Sequence, residues 1–293
     1  MSAAPEPDTD ALPLPPDLGG RFEQLVTDRQ LKAGRALAQA MAIGEGDSVL
    51  ELGSGTGLLS GHLADRVGMR GDVLGLDPSP YHMAIAYQRS RPNLRFQVGS
   101  PADLSRFPNG CFHAITAIGL LHTWPEPLST LQALRRVLKP GGRLGLVTHA
   151  AQPLHPVALA AQAVLQRPPY AACPMPPEDA DHAVSAPDLV ALLREAGFAD
   201  VQVEAQVDAM RYATPQAAIA HVDAASWGRF LRHLPSKPVD LRAAALAEIA
   251  VALSIARGPD GLVHEGLRLV AVAHQAESPA PPSPPHRLRE EPP

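Results

Sequence analysis

Short apolar runs alternate with amphipathic stretches along residues 20–150 of the chain. The apolar runs are rich in Val, Ile and Leu and are only four to seven residues long, so they predict buried strands. The stretches between them carry apolar residues at near-helical intervals and predict helices. Strands that alternate with helices form a parallel sheet covered on both faces. The pattern therefore predicts an α/β fold with a doubly wound, Rossmann-like sheet.

The predicted elements of this first half are five strands and the helices that connect them. The strands fall at 48–52, 73–76, 94–98, 112–118 and 143–148, and the helices at about 22–42, 58–67, 80–89 and 126–138. Connections between parallel neighbours are right-handed, so the helices are divided between the two faces of the sheet.

The pattern changes after residue 150. Residues 151–185 are first Ala-rich and then Pro-rich, which predicts a lid over a site, with a disordered segment or a stiff linker as the alternative. Further on, the predicted elements are a helix from Ser185 to Gly197, a strand at 201–204, helices at about 214–230 and 239–257, and a last strand at 267–272. The two helices lie within residues 207–265 and predict a helical cap inserted before the last strand.

The distribution of proline marks both ends of the chain. Of 32 prolines among 293 residues, five fall in residues 1–19 and seven in residues 276–293. Segments of proline, small residues and charge bury too little apolar area to offset the entropy of ordering, so both are predicted to be disordered tails. The tails flank one predicted domain at 20–275, whose cofactor half is 20–150 and whose lid and cap are 151–185 and 207–265.

Charge and cysteine content exclude several classes of protein. The net charge is −5 and no run of Lys and Arg occurs, which disfavours a nucleic acid partner. No uninterrupted apolar stretch is long enough for a membrane span. Cys111 and Cys173 are too few for a disulfide framework, and no Cys/His cluster has zinc-ligand spacing. We therefore expect a cytoplasmic protein with a small-molecule partner and no metal.

A glycine-rich turn follows the first predicted strand. Gly53, Gly55 and Gly57 stand at alternate positions directly before a helix, where the lack of side chains lets a ligand approach the backbone. Asp77 ends the next strand, at the position where a carboxylate accepts hydrogen bonds from ribose hydroxyls. Although an Asp before Pro-Ser also suits a helix N-cap, the two features in register favour an adenosine-bearing ligand.

The spacing of the glycines discriminates between such ligands. A dinucleotide site carries G-x-G-x-x-G and presents a helix N-terminus to a pyrophosphate. Here the spacing is G-x-G-x-G, and Glu51 precedes it. A carboxylate beside the turn repels a pyrophosphate but attracts an ammonium and a sulfonium. The charge argument favours S-adenosylmethionine and disfavours the alternative of an NAD(P)-dependent reductase.

The ordered motifs resemble the class I S-adenosylmethionine-dependent methyltransferases, especially the small-molecule branch with the ubiquinone and menaquinone C-methyltransferases. The matching segments are VLELGSGTG at 49–57, GLDPSP at 75–80, LH at 121–122, RVLKPGGRL at 136–144 and LLREAGFADVQVE at 192–204. The resemblance implies a seven-stranded sheet of order 3-2-1-4-5-7-6 with the last strand antiparallel. It also implies methyl transfer to an O, N or C nucleophile of a small molecule.

The resemblance further implies roles for individual residues. The implied cofactor-binding residues are Glu51, Gly53, Ser54, Gly55 and Gly57 at the methionine part, Asp77 at the ribose, Pro78, Ser100 and Ala102 at the adenine, and Ala117 and Ile118 at the floor of the site. Ser100 stands where the family commonly has an aspartate, so its hydroxyl or the nearby Asp103 would supply the adenine contact. A protein that binds the cofactor without transferring its methyl group, as a regulator or scaffold, is the alternative from another class.

Candidate catalytic and substrate residues lie in the connections around this edge of the sheet. His122 follows the fourth strand and could deprotonate an acceptor hydroxyl, although packing under the cap or orienting the substrate would equally explain it. The scarce aromatic residues Trp124, Tyr170, Tyr212 and Trp227 are candidates for substrate contact, with packing of the cap as the alternative.

Overall fold

The computed structural model describes residues 28–176, 182–226, 230–259 and 261–276. The strands in these ranges are β1 Ser48–Leu52, β2 Asp72–Asp77, β3 Leu94–Val98, β4 Phe112–Ile118, β5 Leu138–His149, β6 Ala199–Tyr212 and β7 Leu262–His274. The α-helices are α1 Asp28–Ala40, α2 Leu58–Val67, α3 Pro80–Ala86, α4 Pro127–Val137, α5 Pro156–Leu165, α6 Ala186–Glu195, α7 Pro215–Ala225 and α8 Leu241–Ala256. Apart from residue 276, the two predicted tails lie outside the described residues.

The seven strands form one sheet in the order β3-β2-β1-β4-β5-β7-β6. The five strands β1 to β5 are parallel to one another, whereas β7 is antiparallel to both β5 and β6. This confirms the predicted strand order and the antiparallel last strand. From β1 the strand order runs to β2 and β3 on one side and to β4 and β5 on the other, so the chain connections diverge between β1 and β4. This divergence leaves a crevice at the carboxyl ends of β1 and β4, where ligands of open α/β sheets bind.

Both faces of the sheet are buried against helices. Neighbouring residues of β1 point in opposite directions: Val49 belongs to the apolar cluster that includes α1 and α2, and Leu50 to the one that includes α4 and α6. Burial on both faces explains why the central strands are almost continuously apolar. The sheet therefore holds the carboxyl ends of its strands in fixed positions.

Helix starts and ends follow the local sequence. The hydroxyls of Ser79, Ser185 and Thr214 accept hydrogen bonds from backbone N–H groups in the first turns of α3, α6 and α7. Each of these helices has a proline at its first or second position. Gly197 lies just past the end of α6 with a positive φ of 89°. These signals place the helices within a few residues of their predicted bounds.

A separate apolar cluster forms the cap. It joins α5 from the predicted lid with α7 and α8, which lie between β6 and β7, and it includes Val157, Ala218 and Ile249. Strands β6 and β7 are longer than the predicted 201–204 and 267–272, because their antiparallel pairing continues past the end of β5 as far as Tyr212 and Leu262. The cap helices α7 and α8 therefore connect the extended end of β6 to the extended start of β7.

No helix in the described ranges combines the length and apolarity that crossing a membrane requires.

Candidate functional site

The glycine turn between β1 and α2 is tightly packed. Gly53 has φ 72° and Gly57 has φ 86°, in the left-handed region that favours glycine. A Cβ atom on Gly53 would lie 2.4 Å from Cδ1 of Leu120, and one on Gly57 would lie 2.6 Å from Cζ of Phe96. Both glycines are therefore required by the backbone conformation and by close packing.

An open recess lies above this turn. Its lining includes five of the residues predicted to bind the cofactor: Glu51, Gly53, Ser54, Gly55 and Ile118. It also includes Gln30, Leu31, Thr56, Leu58, Leu59, Gly119 and Leu120, which the sequence analysis did not assign to the site. Gln30 and Leu31 belong to α1, which precedes the motif and carries no local signal for this contact.

Glu51 is a buried carboxyl at the wall of the recess. Its side chain accepts a hydrogen bond from the hydroxyl of Ser60, and the residue is only 4% exposed. Burial raises the pKa of Glu51 to about 8, with a smaller contribution from the nearby Asp77, while the Ser60 hydrogen bond opposes the shift. At pH 7 the carboxyl is therefore mostly protonated, and a cation in the recess would favour its ionised form.

Ser54 belongs to the lining of the recess, and its hydroxyl has no hydrogen-bond partner among the described residues. Its Oγ is buried, as is Oγ1 of Thr116 on β4, which also lacks a partner in the part of the chain that the structure describes. Buried hydroxyls are nearly always hydrogen-bonded in folded proteins. The Ser54 hydroxyl therefore fits a recess that receives a polar ligand.

Asp77 lies at the end of β2, and its carboxylate is held by three donors. The backbone N–H of Gly55 donates to Oδ2 at 3.0 Å, and the backbone N–H of Ser79 donates to Oδ1 at 2.9 Å. Nδ1 of His82 lies 3.1 Å from Oδ1. The sequence analysis identified Asp77 but not His82, whose buried position on α3 resembles that of an ordinary core residue.

The residues predicted at the adenine are not part of the recess lining. Pro78 is exposed directly after Asp77. Ser100 starts the short 3₁₀ helix Pro101–Arg106, and its backbone N–H and hydroxyl both donate to Oδ2 of Asp103. Asp103 thus closes a capping box and also pairs with Arg106. Ala102 is exposed on the same helix, and the remaining predicted residue, Ala117, is buried within β4.

His122 lies two residues after the recess residue Leu120, in the 3₁₀ turn Leu121–Thr123. Its ring is half-buried and packs against the ring of His149, with 4.2 Å between the ring centroids. His149 is the last residue of β5 and is exposed. Two imidazoles thus lie together at the carboxyl ends of adjacent strands.

The aromatic candidates occupy packed positions. Trp124 belongs to the core cluster below α4 and α6. The Tyr170 hydroxyl donates to Oε1 of Glu248 at 2.7 Å. The Tyr212 hydroxyl oxygen lies 3.1 Å from Nε2 of His155. Both tyrosines belong to the cap cluster, and Trp227 lies outside the described residues. Substrate contact by these residues stays a prediction.

No arrangement of three or more His, Cys, Asp or Glu side chains suited to a metal ion occurs in the described ranges.

Comparison with known proteins identifies the segment that contains this site. Residues 49–142 match the family model described as a methyltransferase domain. The ubiquinone biosynthesis O-methyltransferase of Xanthomonas oryzae is 36% identical over 104 residues, which cover 35% of this chain and 43% of that protein. The demethylmenaquinone methyltransferase of Lactococcus lactis is 34% identical over 116 residues, covering 38% and 46%. The chain thus spans less than half the length of these curated relatives.

Solved structures show the same fold at low sequence identity. A phosphoethanolamine N-methyltransferase of Haemonchus contortus, solved with S-adenosylmethionine, has a TM-score of 0.57 at 14% identity, covering 88% of this chain and 57% of that one. The cyclase SpnF has a TM-score of 0.53 at 19% identity, covering 85% and 82%. The strand order is that of the class I methyltransferase fold, and residues 49–142 match the model of a methyltransferase domain. Because a cyclase shares this fold, the activity has to be argued from the site.

Proposed function

We propose that the protein transfers the methyl group of S-adenosylmethionine to a nucleophilic atom of a small molecule. The observation that carries the proposal is the recess at the carboxyl end of β1, where the glycine turn meets the buried Glu51 carboxyl. Residues 49–142, which match the model of a methyltransferase domain, include the whole lining of the recess except Gln30 and Leu31 of α1.

The residues of the recess fit the cofactor. The Glu51 carboxyl would bind the positively charged methionine part, since a cation compensates the burial of its ionised form. The unpartnered Ser54 hydroxyl would hydrogen-bond to the same ligand. Asp77, held in place by Gly55, Ser79 and His82, would accept hydrogen bonds from the ribose hydroxyls.

When bound, the cofactor supplies a sulfonium-activated methyl group. The protein's own contribution is then to align an acceptor with that group and to exclude water. The carboxyl ends of β4 and β5 and the cap helices would position the acceptor. Because the sheet fixes these strand ends, the alignment requires little rearrangement of the core.

The experiment is a binding comparison by thermal unfolding and calorimetry. The proposal predicts that S-adenosylmethionine raises the melting temperature and titrates to one site per chain. NADPH serves as the matched control for an adenosine-bearing ligand with a pyrophosphate. A shift with NADPH and none with S-adenosylmethionine would overturn the proposal.

The small-molecule acceptor, the absence of nucleic acid binding and a cytoplasmic location belong to the same proposal. They are supported by the net charge of −5 and by two cysteines that form no disulfide. An electrophoretic binding assay with duplex DNA and RNA tests the expected absence of nucleic acid binding.

A further inference from the structure

Helix α8 of the cap is apolar on the side that faces solvent. Its inner side, with Ala245, Ile249 and Leu253, is buried in the cap cluster. Its outer side carries Val251 and Ile255, whose exposed fractions are 62% and 83%. A surface helix ordinarily carries polar residues opposite its buried stripe, and a helix that is apolar all round is ordinarily buried. The outer side of α8 is therefore unlike the surface of an isolated chain.

The exposed apolar residues of α8 form one continuous stripe. Residues four positions apart lie on the same side of a helix. Ala243, Ala247, Val251 and Ile255 follow this spacing, and all four are exposed. Contiguous exposed apolar surface marks a site of contact with another molecule. These four residues are the α8 stripe.

The polar groups beside the α8 stripe already have partners within the chain. The Ser254 hydroxyl donates to the C=O of Ala250 at 2.8 Å. The Glu248 carboxylate accepts a hydrogen bond from the Tyr170 hydroxyl at 2.7 Å and pairs with Arg167 at 2.9 Å. Burying a polar group is costly only when the group is left without a hydrogen bond. Covering the stripe would therefore leave neither Ser254 nor Glu248 unpaired.

The α8 stripe is complementary in shape to a second copy of itself. Its residues change from alanine near the start of the helix to Val251 and Ile255 near the end. If two copies of α8 pack antiparallel about a twofold axis, Ala243 of each copy lies opposite Ile255 of the other, and Ala247 opposite Val251. Small residues opposite large ones fill the space between the helices. A parallel pair would set alanine against alanine and leave a gap.

The charges at the two ends of α8 favour the same arrangement. Asp240 directly precedes the helix, Arg257 directly follows it, and both are exposed. In an antiparallel pair the start of one helix lies beside the end of the other. Asp240 of each copy would then lie near Arg257 of the other, so that opposite charges meet at both ends of the contact. A parallel pair would bring like charges together.

A lipid surface and the C-terminal segment of the chain fit the stripe less well. Helices that lie on membranes carry several Lys and Arg residues beside their apolar side. The one basic residue of α8 is Arg242, which pairs with Asp223 at 2.9 Å. Residues 277–293 contain Leu288 as their one large aliphatic residue, too little to cover the stripe.

We infer that the α8 stripe is the contact between two copies of this chain, packed antiparallel as a twofold dimer. The 16 residues of α8 span about 24 Å, and a single pair of helices covers less area than a standard stable interface. The dimer therefore dissociates on dilution. The contact joins the caps of the two copies, since α8 belongs to the cap cluster.

Sedimentation velocity of the full chain over a wide concentration range tests the dimer. We expect the mass to rise from that of one copy to that of two as the concentration increases. Val251→Glu and Ile255→Glu each place a charge in the contact and should weaken association about tenfold or more. Met69→Glu is the matched control, since Met69 is 73% exposed in the connection between α2 and β2, and it should associate like wild type.

Cysteine cross-linking tests the antiparallel arrangement. Positions 243 and 255 lie about 18 Å apart along the helix axis. Under mild oxidation, a mixture of Ala243→Cys and Ile255→Cys chains should form a disulfide between copies, whereas either variant alone should not. Wild type treated in the same way is the control for the free thiols of Cys111 and Cys173.

Each measurement has an outcome that would overturn the inference. A full chain that stays monomeric at every concentration would exclude the dimer. Association that Val251→Glu and Ile255→Glu leave unchanged would exclude the α8 stripe as the contact. A disulfide between two Ala243→Cys chains would exclude the antiparallel arrangement. Binding of a monomeric chain to phosphatidylglycerol vesicles, lost in Ile255→Glu, would assign the stripe to a lipid surface instead.

Discussion

Nδ1 of His82 lies 3.1 Å from Oδ1 of Asp77, and both side chains are buried. The pair joins the first turn of α3 to the end of β2, so the orientation of the carboxylate depends on a helix as well as on its own strand. The second carboxylate oxygen is bound by the glycine turn through Gly55. The Asp77 carboxylate at the end of β2 thus contacts both the glycine turn and α3.

The first prediction concerns this pair. His82→Ala removes one donor to a buried carboxylate, and hydrogen bonds to charged groups contribute about 1.5–3 kcal/mol. We expect binding of S-adenosylmethionine to weaken about tenfold or more, as measured by calorimetry. His82→Asn keeps a donor of similar reach and should recover part of the affinity. His62→Ala on α2 is the control, and equal losses in His62→Ala and His82→Ala would contradict the assignment.

The second prediction concerns the protonation of Glu51. Its pKa of about 8 means that the carboxyl binds a proton at pH 7, and a cationic ligand would lower that pKa and release the proton. Calorimetric titrations with S-adenosylmethionine at pH 7, in two buffers of different ionisation enthalpy, should therefore report proton release to the buffer. Affinity should rise with pH up to about 8. Glu51→Gln should abolish the release, and proton uptake by wild type would contradict this account.

Glu51 also affects the stability of the protein without ligand. Its pKa of about 8 lies above the ordinary carboxyl value of 4.5, so between these values the folded state binds more protons than the unfolded state. This contribution to stability is full below pH 4.5 and is lost as the pH rises towards 8. Chemical unfolding of Glu51→Gln should lack that decrease, whereas an unchanged pH dependence in the variant would argue against a raised pKa.

The cap histidines predict the opposite pH dependence. The pKa of His155 falls from 6.5 to about 3 on folding, so below pH 6.5 the unfolded state binds more protons. Stability should therefore fall as the pH is lowered from about 6.5 towards 3. Urea unfolding of wild type and His155→Gln at pH 7 and pH 5 measures this. The variant should be less stable at pH 7 but lose less on acidification, and an equal loss would contradict burial of a neutral His155.

Two glycines of the same region provide a matched pair. Gly53→Ala strains a left-handed residue and brings Cβ to 2.4 Å from Leu120, so we expect a loss of about 1–3 kcal/mol in unfolding free energy and weaker binding of S-adenosylmethionine. Gly61→Ala, in the interior of α2, meets nothing within 4 Å and should stabilise the helix by about 0.5–1 kcal/mol. Denaturant unfolding measures both, and equal effects would contradict the packing argument.

The fold could be predicted from sequence because its signals are local and repeated. All seven strands lie where apolar runs predict them, and the strand order follows from the family resemblance. The outer parts of β6 and β7, which the sequence analysis did not include in these strands, pair with each other beyond the end of β5. Pairing between distant segments, and not local composition, extends these strands.

The site could be predicted only in part. Glu51, Gly53, Ser54, Gly55 and Ile118 lie in one recess because the motif itself builds the turn. His82 contacts Asp77 from α3 and Gln30 lines the recess from α1, and the residues around both follow ordinary helix patterns. Contacts of this kind depend on how whole elements pack, which no single stretch of sequence encodes.

The most direct measurement of the central claim is the fate of the methyl group. The protein is incubated with S-adenosylmethionine carrying an isotopically labelled methyl group and a small-molecule extract, and the products are analysed by mass spectrometry. We predict label on a small molecule with wild type and its loss with Asp77→Ala. Binding of S-adenosylmethionine with no labelled product from any extract would contradict methyl transfer.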